Sequence, residues 1–145
     1  MHVVLDTSVL VAALRSRDGA SFALLQHLRG EDFTIAVSVP LVVEYESALI
    51  RNLHPPLVRA DIESFIDYLC LIARRQDIFY LWRPLLNDPN DDMVVEVAVA
   101  SGCDAIVTHH LKDFGPATKL VERVLERVPP RLIALLSCVA GSDVI

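Results

Sequence analysis

A chain of 145 residues is the size of one domain, read here as spanning 1–145, and its 53% hydrophobic content supplies ample material for a core. No apolar run approaches the ~18 residues of a membrane span, and the opening MHVVLDTSVL has neither the basic flank nor the small-residue cleavage site of a signal peptide, so a cytoplasmic protein without membrane association is expected. A net charge of −6 argues against a simple groove binder of nucleic acid, but not against an enzyme whose acidic site holds cations, because a bound divalent ion inverts the local sign.

In chain order, HVVL (2–5) is a short apolar, β-branched run of the kind that forms a fully buried strand, and it ends at Asp6. TSVLVAALRSRDG carries helical spacing to Gly19, and ASFALLQHLRG is a second amphipathic helix closed by Gly30. FTIAV (33–37) is a second strand. Ser38 and Pro40 then signal a helix start ahead of LVVEYESALIRNL. Pro55-Pro56 breaks the chain, residues 57–74 read as a long helix, and DIFYLW as a strand. NDPNDD precedes an apolar helix from Met93 to Ala100, with Gly102 where a C-terminal glycine belongs. DAIVT (104–108) is a strand. KLVERVLERV fits a helix or a late strand, and PPRLIALL a last short helix. This alternation predicts an α/β fold, a central parallel sheet with helices on both faces. The three cysteines (70, 103 and 138) lack metal-ligand spacing and read as buried reduced thiols.

The acids fall where such a sheet has its ligand site, beyond the carboxyl ends of the strands. Asp6 follows the first strand, Glu44 lies on the helix after the second, Asp91 and Asp92 open a helix, and Asp113 follows the last strand. Each alone has an ordinary reading: a turn or N-cap for the aspartates, a solvated helix face for Glu44, beside the equally acidic Glu46. Together they would repel one another and raise one another's pKa. A divalent cation removes the conflict, and Mg²⁺ and Mn²⁺ favour hard oxygen ligands, often only one or two carboxylates. The reading expects Asp6 and Asp92 to share one cation, and Asp92→Asn to leave the metal-free fold intact or slightly more stable.

VVLDTSVLVAAL, VPLVVEYESAL, NDPNDDMVVEVAVASGCDAIVTHHLKDF and PPRLIALL resemble, in order and spacing, the PIN domain, and most nearly its VapC-like toxin branch of bacterial toxin–antitoxin pairs. The resemblance implies a three-layer α/β/α domain, Mg²⁺- or Mn²⁺-dependent endoribonuclease activity, and inhibition by a small antitoxin protein; such proteins often form a homodimer. Carried over, Asp6, Glu44 and Asp92 are the metal-binding acids, with Asp91 the alternative for the third. Asp113 matches the fourth catalytic acid, and Thr7 and Thr108 match hydroxyls that order the site. Ser8 stands where relatives have Asn, and His110, beside His109, where an Asn or Asp is frequent.

The implied chemistry is metal-assisted hydrolysis of phosphodiester bonds in RNA, with no side-chain nucleophile. An aspartyl phosphatase is a weaker alternative, because its general acid belongs at position 8, which is Ser8. A catalytically weakened module that binds RNA or protein is the other alternative, suggested by His110.

Overall fold

The computed structural model describes residues 1–29, 33–79, 81, 83–110 and 112–114. The segments KLVERVLERV and PPRLIALL, and Cys138, lie outside these residues. The described elements are β1 (His2–Leu5), α1 (Thr7–Arg15), α2 (Ala20–Gln26), β2 (Thr34–Val37), α3 (Val39–Arg51), α4 (Arg59–Ile72), β3 (Arg74–Arg75), α5 (Pro89–Ser101) and β4 (Ala105–Val107). No helix among them is long and apolar enough to cross a membrane.

Four of these elements form a parallel sheet in the order β3-β2-β1-β4. Val3, Val4, Leu5, Ile35, Ala36, Val37 and Ala105–Val107 are all buried. Continuous apolar strands are what a parallel sheet requires, because helices cover both of its faces. The chain steps from β1 to β2 to β3 in one direction, then returns through α5 to the far side of β1. Right-handed crossovers in opposite directions put their helices on opposite faces, which gives the three-layer α/β/α architecture. The order reverses at β1, so the crevice where such sheets bind ligands opens beyond Leu5 and Val107, which are register partners.

Helix α3 starts where Ser38 caps it, its Oγ accepting from the Leu41 N–H at 3.3 Å. Its buried residues Leu41, Tyr45, Ala48 and Leu49 follow helical spacing. Tyr45 donates its hydroxyl proton to the Leu5 carbonyl, tying α3 to the end of β1. Helix α5 closes at Gly102, whose φ of 59° is the left-handed conformation that glycine adopts without strain.

Two expectations change. DIFYLW is not a strand in its described residues; the edge strand is Arg74–Arg75, paired with Ala36 and Val37, and α4 stops at Ile72 to release it. An exposed two-residue strand is set by its neighbour's backbone and leaves no apolar trace. Cys70 is exposed on α4, whereas Cys103 is buried as expected.

Helix α5 also carries two buried acids one turn apart, Asp92 and Glu96, both turned to the chain that precedes the helix. Arg83 grips Glu96 with two prongs, Nε to Oε1 at 2.9 Å and Nη2 to Oε2 at 3.2 Å. Asp92 Oδ1 accepts from the Leu86 N–H at 2.7 Å and the Leu85 N–H at 3.3 Å. Asp92 is therefore a clamp on the segment 85–86, which its assignment as a metal-sharing partner of Asp6 did not anticipate. Hydrogen bonds to a buried charge contribute roughly 1.5–3 kcal/mol. Asp92→Asn should thus lose on the order of 1–3 kcal/mol, the reverse of the sequence-based expectation. The measurement is a urea midpoint at unchanged m-value; an Asp92→Asn protein as stable as wild type would remove the clamp.

Candidate functional site

Asp6 occupies the N-cap position of α1, but its side chain makes no cap hydrogen bond. Its backbone N–H extends the ladder to the Val107 carbonyl at 2.8 Å, and its carboxylate, only 3% exposed, turns to two hydroxyls. Ser8 Oγ donates to Oδ2 at 2.5 Å, and Thr108 Oγ1 donates to the same oxygen at 2.7 Å. Thr108 reaches Asp6 because Leu5 and Val107 are register partners, so the residues that follow them emerge side by side. Each hydroxyl also accepts from the turn after β4: Ser8 from the His109 N–H at 3.2 Å, Thr108 from the His110 N–H at 2.9 Å. With their lone pairs engaged there, both hydroxyl protons are directed at Oδ2. Among the described residues no donor reaches Oδ1, so both hydroxyls are gathered on Oδ2. Beneath lies Tyr45, whose phenol burial and the Asp6 charge hold well above its ordinary pKa. Thr7 opens α1 and stands outside this hydrogen-bond set.

Facing Asp6 is Asp91. Burial, then the charges of Asp6, Asp88 and Asp113, push its carboxyl from 3.8 up to about 6, with His110 acting in the opposite sense. The helix needs nothing from it, because the cap is Asp88, whose Oδ1 accepts from the Asn90 N–H at 2.9 Å. Asp113 is exposed and lies 3.8 Å from Nδ1 of His110. Asp6, Asp91, Asp113 and His110 thus form one electrostatic neighbourhood. No Lys or Arg among the described residues pairs with any of these three acids. Glu44, 14% exposed, is held instead by Arg51 at 3.0 Å.

The donor set decides which cation this site suits. Among the described residues no three His, Cys, Asp or Glu side chains stand close enough to grip an ion together. A closed zinc centre takes four such ligands, and the described residues hold none. Mg²⁺ and Mn²⁺ do not need such a cluster, because they accept one or two carboxylates and keep their waters.

Sequence reasoning singled out Asp6, Thr108 and Asp113, with Asp91 only as the alternative to Asp92. It missed Ser8, noted there only as a departure, although a hydroxyl two residues after an aspartate is well placed to bond it. It missed the Tyr45 phenol, and also Ser21, whose Oγ lies 2.7 Å from Nε2 of His109 and which no local pattern connects to residue 109.

A carboxyl whose folded pKa lies above its unfolded one favours the folded state most below about pH 4 and loses that contribution as pH rises through about 6. Asp91→Asn should therefore match wild type near pH 4 and become relatively more stable up to pH 7, without metal. Denaturation midpoints of both proteins across that range give the difference; a difference that shrinks with pH would contradict the crowding.

A model of the PIN domain matches residues 2–112. A chain of the crystal structure of VapBC2 from Rickettsia felis bound to a DNA fragment from their promoter is similar in fold, at 20% identity and a TM-score of 0.55 over 79% of this chain and 91% of that one. No curated protein matches. The family match runs from β1 through the turn that holds Asp6, and the chain belongs to the PIN-domain family.

Proposed function

We propose that the protein is a Mg²⁺- or Mn²⁺-dependent endoribonuclease, the toxin of a toxin–antitoxin pair. One observation carries this reading: Asp91 is crowded by Asp6, Asp88 and Asp113, beyond the reach of any Lys or Arg ion pair among the described residues, at the mouth of the sheet crevice. Asp6 and Asp91 would hold the ion, with Asp91 taking the place that sequence gave to Asp92. When bound, the ion lowers the pKa of a water and neutralises charge developing on the scissile phosphate. Ser8 and Thr108 hold the Asp6 carboxylate in place by its Oδ2. Asp113 and Glu44 would orient water at the rim, and His110 would meet the phosphate beside Asp113. The test is cleavage of single-stranded RNA with Mn²⁺ and with chelator. Asp6→Asn and Asp91→Asn should each abolish cleavage, whereas Asp92→Asn should retain it per folded molecule. A wild type that binds RNA without cutting it would favour the binding-module reading.

The antitoxin has a candidate surface. A groove of about 590 Å³ runs between α1, α2 and α4, lined by Leu14, Phe22, Leu25, Ile62 and Phe65, with Arg17 at its edge. Large apolar side chains gathered in an open groove suit an apolar segment of a partner protein. The similarity to a VapBC2 chain supports a partner of the antitoxin kind. Phe65→Asp should release the co-expressed antitoxin while the isolated protein still cuts RNA; co-purification and cleavage together decide it.

A further inference from the structure

The two histidines after Thr108 do different things. His110 points to Asp113. His109 sends its imidazole the other way, to Ser21 on α2, 88 residues distant in sequence, with Nε2 to Oγ at 2.7 Å. Ser21 is buried at 3% exposure, and its hydroxyl has no other hydrogen bond among the described residues. An exposed turn is thus anchored on a buried group of another element. The N–H groups of this same turn accept no freedom of their own, since they point at Ser8 and Thr108 and thereby direct both hydroxyl protons to Asp6 Oδ2.

We propose that His109 is a positioning residue: by gripping Ser21 it fixes the turn whose N–H groups orient Ser8 and Thr108 on Asp6, and so holds both hydroxyls on its Oδ2. The kinetic part rests on the nuclease reading above. The Nε2 of His109 is committed to Ser21, which ties this exposed residue to a buried hydroxyl. Burial, with His110 alongside, also holds the His109 imidazole below its ordinary pKa, so the ring is neutral and suited to a hydroxyl partner.

The experiment is a double-mutant cycle of His109→Ala and Ser21→Ala, with His109→Gln as the conservative variant whose amide reaches the same place. One lost neutral hydrogen bond corresponds to about a three- to tenfold effect. Each single variant should lower kcat for RNA by that factor with KM unchanged. The double variant should be no slower than either single one, because the pair acts as a unit. His109→Gln should restore most of the rate. Independently of any activity, Ser21→Ala should speed amide exchange at His109 in the metal-free protein. A KM rise in His109→Ala with Ser21→Ala silent would place His109 on the RNA and overturn the proposal, as would additive effects or unchanged exchange. If the wild type cuts no RNA with Mn²⁺, the nuclease reading fails, and the exchange measurement alone still decides the positioning role.

Discussion

A carboxylate almost wholly withdrawn from water must find its solvation inside the protein, and Asp6 finds it across the β1–β4 pairing. Asp6 is 3% exposed, and an isolated buried charge would simply take up a proton. Two hydroxyls answer that, one from two residues along the chain and one from 102 residues away. The second depends on register. A slip of one residue between β1 and β4 would send Thr108 to the opposite face and leave Asp6 with half its donors. The sheet, the Tyr45 contact to Leu5 and the turn after β4 all serve that single placement.

The acidic turn divides its labour by helix geometry. Successive helical residues point about 100° apart, and residues four apart share a face. Asp92 and Glu96 therefore look together at segment 83–86, while Asp91 looks elsewhere, toward Asp6. Asp88, one residue before the helix, satisfies its N-terminus. Three adjacent-looking acids thus cap, face the crevice and clamp. The sequence reading prefers Asp92 and keeps Asp91 as the alternative, because spacing alone does not say which way each side chain points. The helix begins at Pro89, four residues before the apolar run that signalled it. Burial of Asp92 and Glu96 on one face leaves Asp91 on another, within the field of Asp6.

The same contrast governs the rest of what sequence revealed. β1, β2 and β4 were legible because buried parallel strands must be apolar throughout. α3 was legible through Ser38, Pro40 and the spacing of Leu41, Tyr45 and Ala48. β3 was not, since Arg74 and Arg75 are exposed and belong to the sheet only through backbone hydrogen bonds to β2. Arg51 pairs with Glu44, and Arg59 and Arg75 pair with Glu63 and Asp77. Long cationic side chains reveal their partners only once the helices that carry them are placed.

Asp91 is the acid of the acidic turn whose carboxyl burial and neighbouring charges push up. Its raised pKa is a free-energy cost of keeping it charged, whereas the charges of Asp92 and Glu96 are matched by amide groups and by Arg83. The cost is borne because α5 is fixed on both sides of Asp91: by its buried apolar residues Val94, Val95, Val97 and Ala98, and by the Asp92 and Glu96 clamps on the segment before it. A flexible helix start would let Asp91 swing out to water and relax. Held where it is, it keeps an unfavourable field concentrated at the mouth of the crevice, and that field weakens only when a proton or a cation arrives. Repulsion stored on a rigid frame is how a site remains prepared for a positive ligand before the ligand is present.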